Sequence, residues 1–535
     1  MESKFFIPNV MVKLVNTFKV KEQTDREMIG DEAKIRVNQV ISKFSSVYEK
    51  LRNVVDYNDE HLLRKNAIFR ILKRIILIEK RKDKIGLTLL QELIRVNYLP
   101  NNTLPESKAK EVEEILNKYL IINRSIFEKR PMRQAFKIMT WLINVAACEI
   151  EEVLFDFKQR NALILAMRKI LQRDVELPDS LPENEQNILL QLTVLRSLMR
   201  SDGIILYHYL ISQFYPNFFN SDIEPGLLAD FTDNLEKIKI RAEYYINHPL
   251  RSKLWKISRR YSVYFLILKD VLEKNQDNID DIIARPKLLA DQIMQICEQR
   301  YKKIRIKVVR SVIRSIIYIF ITKMFLAFLI EIPLDYLFEQ TLNYVTLIIN
   351  VLFPPFLMFA ISLFIRLPRK KNTEAIIAGV KEIVYQQEDA EAKYHIKSLA
   401  SRGRVMNFFF NLFYIITYGI TFGIVIYILN KLSFSIFSGT IFIFFLCVVS
   451  FFAIHIRLTA RELIVLNTKE GLINFLFDFF SLPIVRIGRW LSVKLSKINI
   501  FVFILDFIIE APLKIILEVM EEWFSFIREK KEEVY

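Results

Sequence analysis

The chain has 535 residues, of which 52% are hydrophobic, and a formal net charge of +16. The apolar content excludes a disordered protein, and the small number of glycines (11) disfavours glycine-rich nucleotide-binding loops. The three cysteines (Cys148, Cys297 and Cys447) are too few and too far apart for a disulfide framework or a cysteine-based zinc cluster.

The net charge is unevenly distributed. Residues 1–300 carry 48 basic and 41 acidic residues, whereas residues 301–535 carry 28 and 19. In this second, more apolar part the basic residues form short blocks beside apolar runs, a pattern typical of cytoplasmic loops held at an anionic lipid surface. A basic cluster between Arg64 and Lys84 could alternatively bind nucleic acid. A solvated or membrane-facing helix side is the simpler interpretation, and we do not expect a nucleic-acid partner.

The first 300 residues are predicted to form a cytoplasmic helical domain. The N-terminus has no charged segment followed by an apolar core, so we expect it to lie in the cytoplasm. From about Asp31 to Arg310 apolar residues recur every three or four positions, which predicts nine or ten helices and no strands. The apolar run Ile138–Cys148 is too short to cross a bilayer and is predicted to be a core helix.

No motif in this domain carries recognisable chemistry. We find no phosphate-binding loop, dinucleotide fingerprint, zinc-protease motif or nucleophile elbow. The five histidines are scattered, and the acidic stretch Asp277–Asp281 lacks the ligand spacing of a calcium loop, so it is better explained as a helix cap. The sequence therefore predicts no enzyme, no cofactor and no metal, and leaves open only a site assembled in three dimensions.

A long helix is predicted where the polar part meets the apolar part. Residues Lys287 to Ile332 contain neither Gly nor Pro, and the segment runs from polar sequence into the first apolar span. An unbroken helix would couple the cytoplasmic domain to the membrane mechanically. An ordinary join with a small bend is the alternative.

Residues 301–535 are predicted to form the membrane domain, so that the whole chain is an all-α, polytopic helical integral membrane protein. Segments of about twenty mainly apolar residues predict membrane spans. Four pass this test cleanly: Val312–Ile330, Val345–Ile365, Phe408–Leu429 and Phe434–Ile456. A fifth candidate, 498–517, contains several charges. Residues 472–485 have polar residues along one face and are predicted to form an interfacial or re-entrant helix.

The loop charges predict the orientation of these spans. The connection from Glu331 to Asn343 has three acidic and no basic residues, whereas the connection from Arg366 to Arg404 has nine basic residues. The positive-inside rule therefore places the N-terminal domain, residues 366–404 and residues 457–497 in the cytoplasm. We expect the protein in the plasma (inner) membrane. The location of the C-terminus depends on whether 498–517 spans.

Ionisable residues at membrane depth predict an intramembrane polar site, because an unpaired charge there is costly. The candidates are Lys323, Glu331, Asp506 and Glu510, and we predict that Lys323 pairs with Asp506. Alternatively, Lys323 extends to the interface and Asp506 is hydrated. Ile330–Leu334 (IEIPL) resembles residues 509–513 (IEAPL), which indicates either an internal repeat or a chance match between apolar segments.

Two further patterns in the apolar part concern helix geometry. Pro354 and Pro355 lie near the middle of the second span and predict a helix break, which is either part of a binding site or a structural kink. Gly419 and Gly423 predict a face for close helix packing, within the chain or across a homo-oligomer.

Two classes of function fit this sequence. The first is a membrane-anchored interaction or scaffold protein, whose cytoplasmic domain binds a protein partner or the anionic leaflet. The second is a transporter or channel subunit that uses the Pro-Pro segment and the intramembrane charges. The large N-terminal domain without a catalytic motif favours the first, which is the function that we predict from the sequence. The charges at membrane depth and the Pro-Pro segment support the second as the alternative.

Overall fold

A computed structural model describes residues 7–19, 33–38, 60–77, 84–220, 223–339, 344–385, 393–397, 403–466 and 472–497, with isolated residues in 42–52 and 516–531. Within these ranges almost all regular structure is helical, which confirms the predicted all-α class. In chain order the α-helices are α1 (Asn9–Lys19), α2 (Glu60–Leu77), α3 (Ile85–Arg95), α4 (Ser107–Lys129), α5 (Met132–Leu154), α6 (Lys158–Asp174), α7 (Glu183–Ser197), α8 (Gly203–Phe214), α9 (Pro225–Ile246), α10 (Arg251–Lys274), α11 (Ile279–Ala284), α12 (Pro286–Leu326), α13 (Ile332–Glu339), α14 (Tyr344–Leu363), α15 (Lys370–Tyr385), α16 (Arg404–Lys431), α17 (Ile436–Ala460) and α18 (Leu472–Lys497).

The chain divides into two compact units. The first contains residues up to Ile279 together with 383–398, and the second contains 280–382 and 399–500. The sequence-based boundary at residue 300 falls inside α12, which begins at Pro286. Proline suits the first turn of a helix because its missing N–H has no intrahelical acceptor there.

The first unit is built around hydrophobic cores formed by amphipathic helices. Ile68, Ile71, Leu72 and Ile75 of α2 are buried with the inner faces of α3, α4 and α5. The opposite face of α5 packs with α4, α8 and α9, around the fully buried Phe218 and Phe231. The run Ile138–Cys148 lies in α5, and its position in these cores agrees with the prediction of a core helix.

A short parallel strand pair in this unit departs from the prediction of helices without strands. Strand β1 (Val175–Glu176) follows α6 and pairs with β2 (Tyr394–His395). The predicted loop 366–404 therefore contains both a helix, α15, and a strand. Two-residue strands are too short to show alternation, so no sequence pattern identifies them.

The second unit contains four helices that are long and apolar enough to cross a membrane: Pro286–Leu337, Tyr344–Leu363, Val405–Lys431 and Ile436–Ala460. Each one overlaps one of the four predicted spans, and the second and fourth predicted spans extend two residues beyond the helix at one end. Large apolar side chains on these helices are exposed; Ile415 and Phe408, for example, are 66% and 64% exposed. Apolar surface of this extent is unusual on a soluble protein and needs lipid or protein to cover it.

The first of these helices differs from the prediction at its end. Helix α12 is uninterrupted for 41 residues and is followed by a π-helical segment, Ala327–Glu331, and then by α13. The acidic segment predicted as a connection after Glu331 is thus helical as far as Glu339. Proline at position 333 does not stop the helix, although it leaves a carbonyl of the preceding π-helical turn without its usual intrahelical donor.

The predicted helix break at Pro354 and Pro355 is wrong as a break, because α14 continues through both residues. Proline cannot donate to the carbonyl four residues earlier, so the carbonyls of Asn350 and Val351 lose their usual intrahelical donors. The helix is continuous there, but it has fewer hydrogen bonds than its neighbours.

The glycine contacts bear on the predicted packing within the chain and leave packing across a homo-oligomer as a prediction. A Cβ atom built on Gly419 or Gly423 meets no atom of the described residues within 4 Å, so no helix described here packs closely against them. Gly488 of α18 has the close contact instead. A Cβ there would lie 2.7 Å from the carbonyl carbon of Cys447 and 2.9 Å from Cβ of Phe451, both on α17. The predicted interfacial helix 472–485 is the first half of α18, a 26-residue helix.

Candidate intramembrane polar site

Lys323 and Glu331 form a buried ion pair at the end of the first apolar helix. Their Nζ and Oε2 atoms are 3.0 Å apart, and neither residue has exposed surface. Eight residues of regular α-helix would turn the second side chain about 80° away from the first. The π-helical segment Ala327–Glu331 accommodates one extra residue, so Glu331 returns to the face of Lys323.

Glu331 is also hydrogen-bonded from two other helices. Its Oε1 atom accepts from Nδ2 of Asn350 on α14 and from Oγ of Ser438 on α17, the latter at 2.7 Å. Nδ2 of Asn350 also donates to the backbone carbonyl of Ser438 at 3.2 Å. Lys323 lies 5.1 Å from the ring centre of Phe445, also on α17. Three candidate spans therefore meet at the carboxylate of Glu331.

A second carboxylate extends this network. Asp335 lies one turn after Glu331 on α13 and is partly exposed. Ser438 Oγ is 2.9 Å from its Oδ2 atom, and Ser435 Oγ donates to its Oδ1 atom at 2.6 Å. Ser435 also caps α17, because its Oγ accepts from the backbone N–H of Ser438 at 3.0 Å. We call the set Lys323, Glu331, Asp335, Asn350, Ser435 and Ser438 the polar network.

One buried acceptor in the polar network has no partner among the described residues. Oδ1 of Asn350 is inaccessible and accepts no hydrogen bond from them, although the Nδ2 atom of the same amide is fully used. Asn372, another buried asparagine of this unit, provides a contrast, since its Oδ1 accepts from the backbone N–H of Val465 at 2.8 Å. An unpaired buried acceptor costs about 1–3 kcal/mol, so native proteins seldom keep one without a reason.

The chemistry available to the network is proton and cation chemistry. It contains one ammonium group and two carboxylates, and its other members are an amide and two hydroxyls. Burying such charges among apolar helices is costly unless each is paired, and ionisable groups at membrane depth commonly mark ion pathways.

Two of the four predicted residues of the polar site come together in the structure. Lys323 and Glu331 are ion-paired with each other, whereas the sequence prediction paired Lys323 with Asp506. Asp506 and Glu510 lie outside the described residues, as does the second copy of the suspected repeat. The sequence reasoning missed Asn350, Ser438 and Ser435. These are single polar residues within or beside apolar spans, which is a detectable signal.

The first unit contains a separate group of buried charges along α5. Nζ of Lys118 donates to Glu149 at 2.6 Å, and the Tyr119 hydroxyl donates to the same carboxylate at 2.7 Å. Burial is the main cause that raises the pKa of Glu149 and lowers that of Lys118, while their ion pair opposes both shifts. Burial, followed by Lys118 and Arg160, lowers the pKa of His208 to about 3. These groups link four helices, α4, α5, α6 and α8.

Comparison with protein-family models, with curated proteins and with solved structures gives no match to this chain. Among the described residues, no group of three or more His, Cys, Asp or Glu side chains is arranged to hold a metal ion.

Proposed function

We propose that this protein is a membrane transporter or channel subunit, in which the polar network handles the transported ion. The observation that carries the proposal is the fully buried Lys323–Glu331 pair at the junction of three helices long enough to cross a membrane. A purely structural membrane anchor does not need a buried ion pair, because apolar residues of similar size hold helices together at least as well.

The surrounding helices support movement at this site. A π-helical segment ends at Glu331, and such segments recur at functional sites. In α14 the two prolines weaken the hydrogen bonding just after Asn350, which also favours local bending. Since Lys323, Glu331 and Asn350 have no exposed surface, a hydrated ion reaches them only when these helices move apart, whereas a proton can also pass along hydrogen-bonded side chains.

The proposal includes the predicted orientation, with the N-terminal unit and residues 366–404 in the cytoplasm of a plasma (inner) membrane. The basic residues of 366–404 and the acidic residues near Glu331 support it through the positive-inside rule. Single cysteines introduced at exposed positions 370 and 336 should react with a membrane-impermeant thiol reagent from opposite sides of the membrane.

Ion flux in proteoliposomes tests the proposed transport. The full chain should carry ion current or solute flux that is lost in Lys323→Met and in Glu331→Gln, while Lys431→Met, which alters an exposed lysine of α16, keeps it. Folding of each variant is checked by circular dichroism and gel filtration. If both network variants fold and retain full flux, the polar network does not handle the ion.

A second function, binding of a protein partner by the N-terminal unit, is favoured by a surface groove on that unit. The groove has a volume of about 400 Å³ and is lined by Glu185, Lys237, Ile240, Arg241, Tyr244 and Tyr245. Ile240 and Tyr244 are exposed, at 68% and 52%, and the cationic side chains of Lys237 and Arg241 line the same groove. This combination suits an acidic peptide segment with one apolar anchor residue.

Peptide binding to the full chain separates this second function from the first. A panel of acidic peptides with a central Leu or Phe should bind in fluorescence anisotropy, and Ile240→Glu should abolish binding. Ile121→Glu, a change at another exposed apolar position, should leave it intact. Equal peptide binding by both variants would show that the groove is not the binding site.

A further inference from the structure

Ser438 has a single hydroxyl hydrogen for its contacts with two carboxylate groups of the polar network. Ser438 Oγ lies 2.7 Å from Oε1 of Glu331 and 2.9 Å from Oδ2 of Asp335. Both distances are those of O–H···O hydrogen bonds. A serine hydroxyl has one hydrogen, and an ionised carboxylate has none. If both carboxylates were ionised, they would have to share the single hydrogen of Ser438, and neither contact would be a full hydrogen bond.

One additional proton resolves this deficit. A proton on Oδ2 of Asp335 lets the aspartic acid donate to Ser438 Oγ, while Ser438 donates to Glu331. Glu331 is the poorer carrier, because its two oxygens already accept from Lys323, Asn350 and Ser438. The shorter hydrogen bond of Asp335 is the one that its Oδ1 atom accepts from Ser435, so Oδ2 is the oxygen that can carry the proton.

The charge balance leads to the same assignment. The ionisable members of the network are Lys323, Glu331 and Asp335, and the groups that α14 and α17 contribute (Asn350, Ser435, Ser438 and Phe445) are neutral. With both carboxylates ionised the network would carry a net charge of −1 among apolar helices. With Asp335 protonated it is neutral, which avoids an uncompensated negative charge on the partly exposed Asp335 beside apolar helices.

We propose that Asp335, Ser438 and Glu331 form a proton-binding relay, so that the ion handled by the network is H⁺. A proton from water binds Oδ2 of Asp335, the partly exposed member. Asp335 then passes its proton to Ser438 Oγ as Ser438 passes its own to Oε1 of Glu331. The net result is an ionised Asp335, an unchanged serine and a neutral Glu331.

Protonation of Glu331 removes the counter-charge of Lys323 and so opens the ion pair. Oδ1 of Asn350, the buried acceptor without a partner, belongs to an amide that already contacts Glu331 and is available to the released ammonium group. The unpaired amide oxygen of Asn350 would thus accept from Lys323 when Glu331 is protonated. This relay deepens the proposed transport function, and its transport role depends on that function.

Infrared difference spectroscopy of the full chain in liposomes tests proton storage directly. At neutral pH the wild-type protein should show the carbonyl stretching band of a protonated carboxylic acid. This band should be lost in Asp335→Asn and should shift in Ser438→Ala, which keeps both carboxyls. Thr440→Ala, which removes an exposed hydroxyl from the same helix, should leave the band unchanged.

Proton flux into the same liposomes, reported by an entrapped pH-sensitive dye, separates the relay from transport. A band with the expected response to both variants but no flux supports the proton site and refutes the transport function. The relay is overturned if the wild-type protein lacks the band, or if Asp335→Asn and Ser438→Ala both leave it unchanged. Flux that persists in folded Ser438→Ala also overturns the relay.

Discussion

The ion pair between Lys323 and Glu331 makes an asymmetric prediction for the two single variants. Removing one member of a buried pair leaves the other charge uncompensated, at a cost of about 3–5 kcal/mol. In Lys323→Met the carboxylate of Glu331 keeps hydrogen bonds from Asn350 and Ser438. In Glu331→Gln the ammonium group loses the carboxylate and keeps only neutral acceptors, such as the new amide oxygen and the ring of Phe445, 5.1 Å away. We therefore expect a loss of about 3 kcal/mol for Lys323→Met and about 5 kcal/mol for Glu331→Gln.

The double variant Lys323→Met/Glu331→Gln contains neither charge and should be more stable than the sum of the two losses implies. A coupling free energy of at least about 2 kcal/mol is expected for two groups in direct contact. The free energy of unfolding of the full chain is measured in mixed detergent micelles by titration with a denaturing detergent. Lys431→Met is the matched control, since its side chain is exposed and it should change stability by less than about 0.5 kcal/mol.

Additive losses would refute this reasoning. If the double variant loses the full sum of the two single losses, Lys323 and Glu331 do not stabilise each other and the buried pair is not formed in the membrane. Equal losses for the two single variants would show instead that the hydrogen bonds from Asn350 and Ser438 do not support the carboxylate.

The remaining predictions concern helix packing and pH. Gly488→Ala should separate α17 from α18, because the added Cβ overlaps the backbone at Cys447. We expect it to lower the free energy of unfolding by about 1–3 kcal/mol in the same assay. Gly419→Ala, where the added Cβ meets no described atom, should change it little. A full loss in Gly419→Ala would indicate a packing partner. His208 has a folded-state pKa of about 3, below its usual 6.5, so the unfolded chain binds the extra proton and stability falls as pH drops through this window. His208→Phe should reduce the stability lost between neutral pH and about pH 5 by about 2 kcal/mol, as measured from thermal unfolding curves. If the variant loses as much stability over this pH range as the wild-type protein, His208 is not a buried neutral histidine.

The sequence by itself determined which segments are helical and which helices are apolar enough to cross a membrane. Apolar residues at intervals of three or four define helix faces, and runs of about twenty apolar residues are long enough for a span; both are local properties of the chain. For the same reason it identified Lys323 and Glu331, since an ionisable residue inside or beside an apolar run is visible without any structure.

Only the tertiary structure decided which polar groups meet. A spacing of eight residues does not place two side chains on one face of an α-helix. The pairing of Lys323 with Glu331 therefore depends on a π-helical segment that no residue pattern predicts. Asn350 and Ser438 reach Glu331 because α14 and α17 pack around it, which is a non-local event. In the same way Gly488, rather than the more suggestive pair Gly419 and Gly423, makes the close helix contact, because contact depends on where the neighbouring backbone lies.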